Sequence, residues 1–208
     1  RAVLPECNRS IVEAFRQCDE AMKRAEVELE FTQQHNIKCL TIGDNNYPQR
    51  LQECDDAPLA LFYLGNADLN KLHIVSIVGT RRCTQYGKDV TEKFVRELKE
   101  LCPDVLVVSG LAYGIDIAAH RASLSCGMET IGVLAHGLDT LYPAAHRTTA
   151  KQMVHQGGLL TEHFQQTKAD KMNFLRRNRI VAGIADATVV IESKYRGGSL
   201  STARIAND

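Results

Sequence analysis

The 208-residue chain is expected to fold as α/β, with a doubly wound, mainly parallel sheet behind a small helical N-terminal segment, and three observations carry that expectation. Apolar, β-branched runs begin near Ile74, Val105, Thr130, Leu159 and Ala187. Their spacings of 31, 25, 29 and 28 residues leave room for one strand, one covering helix and two short loops, the period of a βαβ unit. The first, second and fifth runs break into glycine loops: Gly79-Thr80-Arg81-Arg82, Ser109-Gly110-Leu111-Ala112-Tyr113-Gly114 and Arg196-Gly197-Gly198-Ser199. In open parallel sheets ligands bind beyond the carboxyl ends of the strands, where these loops lie.

Two regions follow: residues 1–34, a helical segment that is part of a domain, and residues 35–208, the sheet domain. Ile11, Phe15, Cys18, Met22, Ala25 and Leu29 alternate steps of four and three, which predicts an amphipathic helix from about Ser10 to Gln34 whose apolar face needs a partner. Ile37 to Ile42 reads as a strand, Gly43 to Asn46 as a turn, and Tyr47 to Glu53 as a short helix with Pro48 at its start. Leu59 to Tyr63 gives another strand, ending at Gly65-Asn66, and this pair extends the main sheet. Val90, Phe94, Val95, Leu98 and Leu101 form the buried stripe of the first covering helix, which Pro103 ends. The second helix, Ile115 to Ser125, presents small groups (Ala118, Ala119, Ala122) to the sheet and stops at Gly127. Asn173 to Ala185 is a helix of mixed character, and Ser199 with Thr202 is expected to cap the last one.

The totals bound the class. With 44% apolar and 24% charged residues the chain can bury one substantial core, which excludes disorder and fibre. Seven scattered cysteines, none in a C-x-x-C pair, argue against a disulfide framework or a zinc site and for a reducing cytoplasm. No apolar run is long enough to span a bilayer and no signal peptide precedes residue 10, so no membrane role is expected. The chain reads as incomplete, since it lacks an initiator methionine and stops a few turns into the helix that Ser199 should open. Its zero net charge hides an asymmetry: 7 Lys and Arg face 12 Asp and Glu up to Asn70, and 18 face 13 from Lys71 onward. The positive part carries the glycine loops.

Each loop has chemistry to offer. In Gly79-Thr80-Arg81-Arg82, free N–H groups at a helix start attract anions and the arginines add planar forks for phosphate oxygens. The loop is neither G-x-G-x-x-G nor G-x-x-x-x-G-K-[ST], so no dinucleotide or nucleoside-triphosphate fingerprint is met. Ser109, Gly110 and Gly114 frame a second backbone concavity. Asp116 behind it either caps or charges its helix, or serves as a catalytic carboxylate. Lys194 and Arg196 stand beside the third turn, with Gly198 and Ser199, as anion contacts or as plain surface charge. Lys171 to Arg179 interleaves Lys171, Arg176, Arg177, Asn178 and Arg179 with Phe174, the combination that single-stranded nucleic acid favours, although Phe174 could equally be core. Asp139, Glu162 and Glu192 sit at strand ends without a histidine or cysteine at triad spacing, and Glu162-His163 is not a metal motif. His120 and His136 read as structural, although His136 to Asp139 occupies the third strand's exit loop and could line the pocket.

With the loops placed, five blocks in order resemble the signature of the DprA family of DNA processing proteins, also called Smf: Gly79-Thr80-Arg81; Ser109 to His120; Gly137-Leu138-Asp139-x-x-Tyr142-Pro143; Asn173-Phe174-x-x-Arg177-Asn178-Arg179-Ile180; and Gly198-Ser199-Leu200-x-Thr202-Ala203. The resemblance implies an extended Rossmann-like fold that binds single-stranded DNA, forms homodimers, and in natural transformation protects incoming strands and helps load RecA on them. It implies no catalysis and no cofactor. Carried across by motif, the DNA-contacting positions are Arg81, Lys171, Phe174 and Lys194. Family members commonly carry a longer helical N-terminal domain, and further sheet with a winged-helix tail, than this chain contains. The competing reading is a Rossmann-like nucleotide-binding module or nucleoside-monophosphate-cleaving enzyme. Such enzymes use a P-G-G-x-G-T loop followed by glutamate, whereas this chain has Ala203 and Arg204 where the acid would stand.

Overall fold

The computed structural model describes residues 13, 18–194 and 197–207. Helix α1 (Asp19–Gln34) leads into β1 (Lys38–Thr41), the short α2 (Gln49–Gln52) behind Pro48, and β2 (Ala60–Gly65). The winding unit then runs β3 (Ile74–Gly79), α3 (Gln85–Leu101), β4 (Leu106–Ser109), α4 (Ile115–Ser125), β5 (Thr130–Val133), α5 (Arg147–His155), β6 (Gly157–Thr161), α6 (Lys171–Gly183), β7 (Ala187–Ile191) and α7 (Gly198–Ile205). All seven strands join one sheet in the order β1-β2-β6-β5-β4-β3-β7. The five strands expected to be parallel are parallel, with Val75 opposite Val107 and Ala187, while β1 and β2 add an antiparallel edge through Phe62 opposite Thr161.

The pleat explains why both faces are apolar. Ile74, Val78, Leu106, Val108, Ile131, Val133 and Leu160 turn to one side and pack under Leu51 of α2, Ile180 and Val181 of α6, and Ile184 just beyond its end. Their neighbours Ile77, Val105 and Val107 turn to the other side, under Val95 of α3 and Ile115, Ala119 and Ala122 of α4. The small residues of α4 let it lie close to the sheet, as the sequence predicts. The winding reverses at β3: the chain steps from β3 through β6 in one direction, then returns through α6 to place β7 on the far side of β3. The crevice between the carboxyl ends of β3 and β7 is therefore the topological switch point.

Three sequence expectations need correction. The face that docks α1 is polar, because buried Glu28 and Thr32 point inward while Met22 and Leu29 are 55% and 49% exposed. The loop after β6 offers the complementary groups: the Gln165 amide donates to the Glu28 carboxylate (2.9 Å), Arg24 donates to the Gln165 carbonyl (2.6 Å), and the Arg24 guanidinium lies 5.8 Å from the Phe164 ring centroid. Burial holds the Glu28 carboxyl above its ordinary value in spite of that amide bond. Ile11 and Phe15, the start of the expected stripe, lie outside the described residues. Leu101, assigned to the buried stripe of α3, is 86% exposed in the helix's last turn. Ser199 does not cap α7: Gly197 occupies that position without a side-chain bond, and the Ser199 hydroxyl pairs with Ser193 (2.7 Å). The helix α5 is the covering helix that the 29-residue spacing leaves room for between the third and fourth runs, although the sequence pattern sets no bounds for it; it buries Thr149, Ala150 and Met153, with Val154 packed beside them.

Candidate functional site

The three glycine loops converge. Gly79, Thr80 and Arg81 after β3, Gly110 and Ala112 after β4, and Lys194, Gly197, Gly198 and Ser199 after β7 line one cavity of about 490 Å³, which α6 closes with Lys171, Phe174, Leu175 and Asn178. Arg196 lies outside the described residues.

The floor is braced from beneath. Gly114 stands at φ +81° and packs against the Thr80 carbonyl and the Arg81 backbone, so the second loop supports the first, and any side chain there would meet backbone. Asp116 is buried, and its carboxylate accepts from the loop amides of Ala112 (3.4 Å) and Gly110. Arg177, also buried, donates to the Val133 carbonyl (2.8 Å) and faces that carboxylate. Burial pushes the Asp116 carboxyl up and pulls the Arg177 guanidinium down, and the charge of each opposes the shift of the other. Gly110 is glycine for a steric reason, because a Cβ would land on the Arg177 guanidinium. Asp170, the other carboxylate in the lining, caps α6 by accepting from the Asn173 amide (2.8 Å).

At the mouth the Arg81 guanidinium lies over the Phe174 ring, 4.7 Å from its centroid, and Tyr142 leans on the same ring at 5.9 Å. Tyr142 is half exposed and was missing from the sequence-derived site, although an aromatic ahead of a proline in a strand-exit loop was the signal that could have found it. Among the described residues, Arg81, Lys171 and Lys194 make no ion pair with a carboxylate. The rim is thus cationic and aromatic, and its cations are unspent.

Other expected site residues go elsewhere. Ser109 is fully buried and donates its hydroxyl to the Ile77 carbonyl (2.5 Å), tying β4 to β3. Arg179 points away from the cavity and grips Glu162 with two bonds of 2.8 and 2.6 Å, with Asp56 beside it. Arg177 reaches the cavity wall, but buried, with its guanidinium on the Val133 carbonyl and its charge balanced by that of Asp116, rather than as an exposed cation. Gly114 supports the wall from behind. Of the strand-end acids, Glu192 accepts from the Thr84 amide and hydroxyl at the start of α3. Histidines 120 and 136 are structural: His120 Nδ1 meets the Thr130 hydroxyl at 2.7 Å, and His136 Nε2 accepts from the Tyr142 amide at 3.1 Å. Burial holds His120 neutral, pulling its pKa down to about 3. Among the described residues no group of three or more His, Cys, Asp or Glu could hold a metal, and no helix is long and apolar enough to cross a membrane.

A doubly wound sheet whose glycine loops and helix starts enclose a cation-rimmed cavity at the switch point places the chain in the class of open α/β proteins, whose ligands bind beyond the carboxyl ends of the strands. Within that class, the sequence profile of DNA recombination-mediator protein A matches residues 38–208, and the chain belongs to that family, as the motif resemblance implied. It is 41% identical over 166 residues to the DNA processing protein DprA of Streptococcus pneumoniae, covering 80% of this chain and 58% of that protein. The X-ray structure of the Streptococcus pneumoniae DprA superposes with a TM-score of 0.83 at 37% identity, over 97% of this chain and 69% of that one. DNA processing protein A from Helicobacter pylori, solved in a study of its single-stranded DNA binding mode, superposes at 0.73 with 31% identity, over 82% of this chain and 75% of that one. The chain spans between 46% and 59% of the length of the curated relatives it matches.

Proposed function

We propose that the chain binds single-stranded DNA in the cavity at the switch point and serves DNA processing and recombination without breaking a bond. The observation that carries this reading is the meeting of unpaired Arg81, Lys171 and Lys194 with Phe174 around an amide-lined floor. Phosphates are gripped by the Gly79–Arg81 turn and tracked by the two lysines. A base stacks on Phe174 by taking the ring face that Arg81 now covers, which frees the guanidinium for a phosphate. A duplex is a poor ligand, because its bases are paired and stacked and cannot enter the cavity without unstacking. Both lining carboxylates accept from backbone amides, a structural role that supports binding over nucleotide cleavage.

For the protein as a whole we further propose protection of incoming strands, loading of RecA on them and homodimer formation, in a reducing cytoplasm that suits the free thiols of six described cysteines. Fluorescence anisotropy with oligothymidylate, the matching duplex and a mononucleotide, beside a mononucleotide-hydrolysis control, tests the core of the proposal. The expected order is single strand well above duplex and mononucleotide, with no hydrolysis. Equal affinity for the mononucleotide and the strand would favour the nucleotide-sensing alternative, and turnover would favour the enzyme.

A further inference from the structure

A second cavity of about 500 Å³ opens beside the first and shares Arg81 with it; its other lining residues are Arg82, Cys83, Lys88, Tyr113 and Gly114. Arg81, Arg82 and Gly114 stand in the glycine loops read from the sequence, but Cys83 and Lys88 do not, and nothing in the sequence separates this cavity from the first. Three of its six lining residues are cations and none is acidic, and among the described residues Arg82 and Lys88 make no ion pair. Its aromatic is presented rather than buried. Tyr113 is 47% exposed and is held by an edge contact to His146 (4.9 Å between centroids), whose Nδ1 lies 2.8 Å from the Leu111 carbonyl. Its wall is also fixed, because Gly114 packs against the Thr80 carbonyl and the Arg81 backbone. Exposed cations around a half-exposed ring repeat the composition of the first cavity, and Arg81 stands between the two.

Building on the reading of the first cavity as a single-strand site, we propose that the second is the next subsite on the same strand. Arg81 sits at the junction and takes the phosphate between the two subsites, Tyr113 stacks a further base, and Arg82 and Lys88 hold the phosphates that follow. The chain would then recognise several consecutive unpaired nucleotides as a track, and affinity would grow with length until both cavities are filled. A ligand confined to the first cavity would show no such growth.

The test compares oligothymidylates of about 4 and about 12 nucleotides on the full chain, by anisotropy and across a salt series. Variants are Tyr113→Ala, Tyr113→Phe and the double change Arg82→Ala with Lys88→Ala, each checked by thermal melting. The parent should gain affinity with length. Tyr113→Ala should bind the short strand as the parent does and lose about tenfold on the long one, within the range for one stacked base, while Tyr113→Phe keeps it. The double variant should lose about 1.4 from its long-strand salt slope, at about 0.7 per phosphate contact. Parental binding of both lengths by all variants, or equal losses on both lengths, overturns the second subsite and leaves the first standing. If the parent binds neither length, the reading of the first cavity fails and takes this inference with it.

Discussion

Replacing Phe174 by alanine separates stacking from charge, and the geometry sets the size of the effect. A base stacked on an aromatic ring contributes about 1 to 3 kcal/mol. The ring is not free in the unbound protein, because Arg81 lies over it at 4.7 Å, an exposed cation–π contact of about 0.5 to 1 kcal/mol that the parent must give up to bind. The variant has no such contact to lose. With the middle of the stacking range, about 2 kcal/mol, the net weakening is about 1 to 1.5 kcal/mol, or roughly 5- to 13-fold in Kd. The phosphate contacts survive, so the slope of log affinity against log salt should match the parent's, whereas Arg81→Ala should lower it by about 0.7. Anisotropy titrations from about 50 to 200 mM salt measure both quantities at once. Since the two side chains touch, the double variant should lose less than the sum of the single losses. Phe174→Tyr keeps the ring and should bind like the parent. Unchanged affinity for Phe174→Ala, or a slope that falls as Arg81→Ala's does, would refute the assignment of a base to this ring.

Other consequences concern the scaffold. Arg179→Ala should cost about 1 to 3 kcal/mol in urea unfolding, because it breaks a partly buried bidentate pair with Glu162, yet leave oligonucleotide affinity within about twofold; a large loss of binding would return Arg179 to the site. Gly110→Ala should lower Tm by about 3 to 12 °C, since the Arg177 guanidinium must leave the Val133 carbonyl, and losing a buried hydrogen bond from a charged group costs about 1.5 to 3 kcal/mol. Gly43→Ala, with open space around its Cβ, is the control and should melt within a degree or two of the parent. The unfolded imidazole of His120 takes up a proton near 6.5 while the folded one stays neutral down to about 3, so stability falls as pH drops below about 6.5. The loss by pH 5 is about 2 kcal/mol through this residue. His120→Gln should remove that part of the acid dependence in urea titrations at pH 7 and 5, and an unaltered dependence would show that His120 does not carry it.

What the sequence made legible follows from how strongly each element is driven. Strands β3 to β6 are largely buried on both faces and β7, at the edge, less so; all five read as predominantly apolar runs, and three of the five begin where that run begins. The glycine loops were legible because they sit where a winding strand must end. Polar docking was not: Glu28 of α1 is buried through a bond to the Gln165 amide 137 residues away, and no local pattern announces a carboxylate that will find its partner across the fold. The antiparallel edge β1-β2 was read correctly as an extension of the sheet, but its attachment to β6 rather than to β3 depends on the same long-range pairing.

The basic run Lys171 to Arg179 shows where more could have been read. Taken as a block of charge it suggests that every cation faces the ligand, but α6 turns about 100° per residue and sends neighbouring side chains to different sides. Lys171, Phe174, Leu175, Asn178 and Val181 follow the helical spacing of i, i+3, i+4, i+7 and i+10, and all five line the cavity. Arg176 stays exposed, Arg177 turns inward to Asp116, and Arg179 reaches across to Glu162. Knowing only that the run is helical and that Phe174 faces the ligand, the periodicity alone assigns Lys171 and Asn178 to the site and directs Arg179 away from it. The distinction has a chemical consequence: of the four arginines and lysines at 171, 176, 177 and 179, Lys171 and Arg177 line the cavity, but Arg177 is buried with its guanidinium on the Val133 carbonyl, so Lys171, the exposed one, should carry the contribution to the salt slope. Charge density along a sequence is a poor guide to a binding face until it is resolved by the period of the element that carries it.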